Sequence, residues 1–202
     1  MSSPSATGLG TDALAGRSRI LDIAAALFVE QGYEATSLRQ IADAVGMKAG
    51  SLYYHFASKD DLLTAVLDIG MEVMHTAFDA AELATVDASA GTRIEAHVRA
   101  HLAALYEHGP YTAAHVVTLR TAPAVVRAAV VPTRDAYEAR WADLLAVLQS
   151  AGDLAADIDL HVARLALFGA MNSSVEWFDP ARGGLDDVAE TIARQFWNGV
   201  AR

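Results

Sequence analysis

Only two of the chain's 15 cationic side chains are lysines, Lys48 and Lys59. Both fall in one short window that also holds Tyr53, Tyr54 and His55. Ammonium, phenol and imidazole groups gathered in one patch can donate hydrogen bonds to anionic oxygens, and phosphate is the chemistry that suits them. Between them lie Ala49, Gly50 and Ser51, small enough to let a partner approach the backbone. Thr36 and Ser37 add hydroxyls just upstream. Other chemistries are poorly supplied. The chain has no cysteine, which excludes disulfides, thiolate metal sites and cysteine nucleophiles. His97 and His101 stand four apart, a spacing that could hold a metal, but no third ligand is evident. A hydrogen-bonded helix face is the expected role of that pair, and neither a metal nor a cofactor is expected. There is no nucleophile elbow and no phosphate loop, so enzymatic activity is not expected.

The elements that must position these residues read as helices. The chain has 202 residues, 42 of them alanine, the best helix former. Ile20, Ile23, Ala24, Leu27 and Phe28 follow the spacing of one helical face, which ends at Gln31-Gly32. Ser37-x-x-Gln40 is a capping box opening a second helix through Leu38, Ile41, Ala42 and Val45, stopped by Gly46. A third runs through Leu52 to His55-Phe56, and a long fourth from Lys59 to about residue 83. Further helices are predicted over 92–108, 111–121, 123–151, 159–178 and 185–201, with Pro132 kinking or splitting the third of these. No stretch alternates like a strand. The fold class is all-α, with a disordered tail over 1–13, a first domain over 14–74 and a second over 75–202.

Net charge is −10, but unevenly spread. Residues 1–60 carry five Lys/Arg against six Asp/Glu, and residues 61–202 carry ten Arg against nineteen Asp/Glu. An anionic body does not adhere to nucleic acid by bulk charge, so any such contact must come from a local surface near the amino terminus. No apolar run reaches membrane-spanning length and no signal peptide is recognisable, so a cytoplasmic protein is expected.

Residues 37–56, SLRQIADAVGMKAGSLYYHF, place two short helices about a glycine turn, the pattern of a helix-turn-helix. In that motif one helix braces across the duplex while the second enters the major groove. Tyr53, Tyr54 and His55 are successive, about 100° apart on a helix, so they cannot all face inward. The stretch from Arg19-Ile20-Leu21 through Phe28, Gly32-Tyr33, Ala35-Thr36-Ser37, Ile41-Ala42, Gly46, Gly50 to Phe56 and Ser58-Lys59-Asp60 resembles the DNA-binding head of the TetR/AcrR family of bacterial transcriptional regulators. The resemblance implies phosphate contacts from Thr36, Ser37, Tyr53, His55 and Lys59. It implies approach to base edges and backbone by Lys48, Ala49, Gly50 and Ser51, with Tyr54 touching either.

The same resemblance implies that the remaining helices form an effector pocket and a homodimer surface. It further implies that the fourth helix transmits the state of the pocket to the head. The pocket candidates are His101, Tyr106, His115, Arg120, Trp141 and Trp177, polar or amphipathic groups among apolar ones. His97, His108 and Tyr111 are of the same kind. The dimer is expected through 159–178 and 185–201, on the stripes Leu160, Ala163, Leu167, Ala170, Met171, Ser174 and Val188, Ile192, Phe196, Val200. The segment Trp177-Phe178-Asp179-Pro180, with Gly183-Gly184 beyond it, resembles a stretch of a TetR subgroup that senses acyl-CoA thioesters or related lipid and steroid catabolites. A homodimeric repressor on a palindromic double-stranded DNA operator, released by a small, largely apolar effector, is the function so implied. An activator or a ligand-independent DNA-binding protein is the alternative.

Overall fold

The computed structural model describes residues 7–107 and 109–202, with side chains from residue 15 onward. Its helices are α1 (Thr7–Gln31), α2 (Leu38–Val45), α3 (Ala49–His55), α4 (Lys59–Ala84), α5 (Ala90–Glu107), α6 (Pro110–Thr118), α7 (Ala124–Ser150), α8 (Leu160–Asn172), α9 (Ser174–Trp177) and α10 (Leu185–Val200). No strand is present among the described residues. Three sequence expectations change. Residues 7–13 of the expected tail are helical, because extending an already nucleated helix costs less than starting one; residues 1–6 lie outside the described residues. Pro132 sits inside one continuous helix, α7, so of the two expected outcomes the helix is not split there. The helix expected over 159–178 is broken at Ser173 into α8 and α9.

The chain forms two compact units that do not follow the expected boundary at 74/75. The first comprises residues 1–70 together with 109–130, and the second comprises 71–108 with 131–202. Segment 109–130 joins the first unit because its apolar residues share that core. Ala114, Leu119, Ala122, Val126 and Val130 are buried in one cluster with Ile20, Ala24, Phe28, Ile41, Leu52, Leu63 and Leu67. Two contacts hold α6 there. The Tyr111 hydroxyl donates to Asp22 of α1. At Gly70 a side chain is sterically forbidden, since a Cβ would stand 2.6 Å from the Tyr111 carbonyl oxygen.

The second unit is centred on aromatic rings. Phe78, His97, His101, Tyr137, Trp141 and Phe168 meet one another with centroids 4.4–6.3 Å apart. His101 is bonded at both nitrogens: Nδ1 accepts from the Tyr137 hydroxyl and Nε2 donates to Asn172 Oδ1, each at 3.0 Å. The imidazole is therefore neutral, and burial pushes its pKa down to about 4. α10 lies on α5 and α8, with Trp197 seated against Gly91 and an ion pair from Arg99 to Asp186.

Candidate nucleic-acid interface

Local signals build the first unit's exposed helix pair. Ser37 caps α2: its Oγ accepts from the Gln40 amide at 3.2 Å, and Gln40 Oε1 accepts from the Ser37 amide at 2.8 Å. Ile41, Ala42 and Val45 turn inward. Gly46 ends the helix at φ +80°, a conformation that Cβ-bearing residues avoid, and so turns the chain sharply into α3. Leu52 and Phe56 anchor α3 to the core, with the Arg17 guanidinium 4.8 Å above the Phe56 ring.

Anchoring those two residues leaves one surface of α3 to solvent. Lys48, Ala49, Gly50 and Ser51 are exposed at its first turn, and Tyr53 and Tyr54 are 57% and 84% exposed beyond them. A Cβ placed on Gly50 would meet nothing within 4 Å. Glycine in a helix costs about 1 kcal/mol against alanine, and nothing within the protein requires it at this position. His55 is half-buried, its ring against Gly16 of α1 and edge-on to Tyr54 at 5.4 Å. Ser37 is exposed, but its hydroxyl is engaged in the cap.

Two of the implied phosphate contacts have internal partners. Thr36 is 1% exposed, and its hydroxyl donates to the Gly32 carbonyl at 2.8 Å. Its side chain is therefore a loop brace with no open donor, a correction to the role the resemblance implied. Lys59 Nζ donates to the carbonyls of Tyr33 at 2.8 Å and Thr36 at 2.9 Å. Arg39, on the exposed side of α2 two residues past Ser37, was not singled out by sequence reasoning. Its side chain is 87% exposed, in a loose 3.9 Å pair with Asp43. Its position inside the Ser37-x-x-Gln40 capping box, off the apolar stripe of α2, was the available signal.

The pocket candidates lie in different local surroundings. His101 and Trp141 are packed inside the aromatic cluster. The Tyr106 hydroxyl donates to Ser174 Oγ at 2.9 Å, and its ring meets Phe178. Trp177 is exposed on α9, while His115 and Arg120 belong to the first unit. His108 lies outside the described residues. His97 Nδ1 bonds the Arg93 carbonyl and Nε2 bonds Glu82, so the His97/His101 pair spends its nitrogens elsewhere. Among the described residues no cluster of three or more His, Asp or Glu is placed to hold a metal. A groove of about 440 Å³ runs between α4 and α5, lined chiefly by alanines with Thr92, Glu95 and Arg99, and none of the six candidates lines it.

The expected dimer stripe is open only in part. Leu167, Met171 and Ser174 are buried within the second unit. Ala170 of the same stripe is exposed, and the neighbouring surface of α8 is open and itself apolar at Val162, Leu165, Ala166 and Gly169, continued by Trp177 on α9. Both faces are apolar, so periodicity alone could not tell the inner from the outer.

A capped brace helix, a glycine turn and a second helix with a small, polar, exposed first turn define a helix-turn-helix nucleic-acid-binding protein. Residues 20–66 match the family described as "Bacterial regulatory proteins, tetR family", and residues 87–200 match its "Tetracyclin repressor-like, C-terminal domain". The chain belongs to the TetR family of DNA-binding transcriptional regulators. The transcriptional repressor KstR2 of Rhodococcus jostii is 33% identical over 89% of this chain and 86% of its own length. The solved ketosteroid regulator KstR2 of Mycobacterium tuberculosis is 25% identical, with a TM-score of 0.80 over 92% of this chain and 95% of that one. AibR, solved with isovaleryl coenzyme A and operator DNA, shares the fold at 22% identity, with a TM-score of 0.79 over 89% of this chain and 97% of that one. No helix among the described residues is long and apolar enough to cross a membrane.

Proposed function

We propose that the protein is a homodimeric repressor that binds a palindromic operator and leaves it when a small, largely apolar effector binds. The exposed first turn of α3, with Gly50 unused by the protein's own packing, carries the DNA-binding part of this reading. Lys48, Ala49, Gly50, Ser51, Tyr53 and Tyr54 meet the major groove and its flanking phosphates. Ser37, Arg39 and His55 border them. The open apolar face of α8 supports a dimer, because an exposed stripe of Val, Leu, Gly and Ala is a liability in a monomer and a close-packing surface between two copies. Two copies present two recognition helices to two half-sites.

The effector proposed is an acyl-CoA thioester or a related lipid or steroid catabolite. The Trp177–Gly184 segment supports this, as does the solved relative named as a ketosteroid transcriptional regulator. Such a ligand releases DNA by favouring a conformation that binds the operator poorly. The test selects DNA from a random library with the purified protein, then measures its release by acyl-CoAs and steroid acids in a gel shift. Recovery of no enriched sequence refutes the DNA-binding part. An operator complex untouched by every such compound refutes the effector class.

A further inference from the structure

We propose that Lys59, where the family resemblance implies a phosphate contact, is instead a positioning residue that clamps the loop between α1 and α2. The proposal rests on the DNA-binding reading above. Lys59 is the first residue of α4, which is fixed at its start by Ser58 Oγ accepting from the Asp61 amide at 3.0 Å. From there the ammonium group reaches back across the loop. It donates to the Tyr33 and Thr36 carbonyl oxygens and rests 3.9 Å from the centroid of the Tyr33 ring.

Other groups of the loop are bonded close by. The Thr36 amide donates to the Tyr33 carbonyl at 3.2 Å, closing a turn, and the Tyr33 hydroxyl donates to Asp60, the neighbour of Lys59. The Thr36 hydroxyl bonds the carbonyl of Gly32. An ammonium ion has three N–H donors. Two are spent on carbonyls and the cation lies against a ring, so most of its hydrogen-bonding capacity is used within this chain. What the clamp fixes is Ser37, the residue that immediately follows Thr36 and caps α2. Lys59 therefore sets where the bracing helix begins, and it influences DNA through that helix.

A clamp and a phosphate contact differ in salt dependence. Each cation that neutralises a phosphate contributes about one unit to the slope of log K against log salt. The measurement is anisotropy of a labelled operator selected by the wild-type protein, between about 50 and about 200 mM salt, with Lys48→Ala, Lys59→Met and Lys59→Arg. Melting curves establish that each variant is folded at the assay temperature. Lys48→Ala is expected to lower the slope by about one. Lys59→Met is expected to weaken binding about tenfold at every salt concentration, with the slope unchanged. Lys59→Arg keeps the charge but cannot seat a planar fork on the same two carbonyls, so it is expected to weaken binding as well. If Lys59→Met does not fold, the arginine variant decides alone. A slope reduced by one in Lys59→Met, wild-type affinity in Lys59→Met, or wild-type affinity in Lys59→Arg overturns the clamp and leaves the DNA-binding reading standing. A wild-type protein that selects no DNA overturns both.

Discussion

Replacing Gly50 by alanine should strengthen the protein and weaken its function at once. Gly50 lies in the first turn of α3, and a methyl group there meets no protein atom within 4 Å. The folded state accepts it without strain, and the unfolded chain loses freedom. The expected gain is about 0.5–1 kcal/mol, a rise in melting temperature of about 2 °C for a chain of this size. On DNA the sign reverses. If sugar, phosphate or base edge touches the Cα of Gly50, a methyl group intrudes by a bond length of about 1.5 Å into occupied space. Even a partial withdrawal that costs about 1.4 kcal/mol weakens binding tenfold. Differential scanning fluorimetry and operator anisotropy on the same preparation read both effects. A Gly50→Ala protein that melts higher and binds its operator as well as wild type refutes the reasoning, because it leaves the glycine without a purpose on either surface.

Three further outcomes follow from the packing. Gly70→Ala places a methyl group 2.6 Å from the Tyr111 carbonyl oxygen and should cost about 1–3 kcal/mol in a urea titration; an unchanged midpoint contradicts the close approach of α4 and α6. His101 is held neutral, its pKa lowered by burial to about 4, whereas in the unfolded chain it protonates near pH 6.5. The unfolded state thus binds more protons between those values, so stability is full above about pH 6.5 and falls by about 3 kcal/mol as the pH drops toward 4. His101→Phe should flatten that dependence, and an unaltered slope in the variant assigns the acid sensitivity elsewhere. Gly169→Arg, on the open face of α8 where a Cβ meets nothing within 4 Å, should leave the fold intact and halve the mass seen by sedimentation; a wild-type mass in the variant removes that face from the dimer.

Residues 37–56 were legible in the sequence because their signals are local. A capping box, a glycine that must take positive φ, and an aromatic triplet that cannot all turn inward act within a few residues of one another. The role of Lys59 was not legible, since its partners lie 23 and 26 residues away and are backbone carbonyls, which no side-chain pattern announces. Thr36 was misread for the same reason: a threonine before a helix looks like a surface hydroxyl until the loop folds over it. The attachment of 109–130 to the first unit depends on Gly70 and on the Asp22–Tyr111 bond, both set by tertiary contact. His101 and Trp141 stood out as polar groups among apolar ones, a description that fits a ligand anchor and a satisfied core residue equally well. For His101 the Tyr137 and Asn172 bonds and the surrounding rings mark the core residue; the buried indole N–H of Trp141 has no such bond.

The central claim is that two copies of the α3 surface read duplex DNA at a fixed separation. Selection from random duplexes with the purified protein, followed by sequencing and the mass of the resulting complex, tests it most directly. The account predicts an inverted repeat whose half-sites are centred about 34–36 Å apart, or a multiple of that distance, along the helix, bound by paired copies of the chain. Enrichment of a single unrepeated half-site bound by one copy, or no enrichment over input, contradicts it.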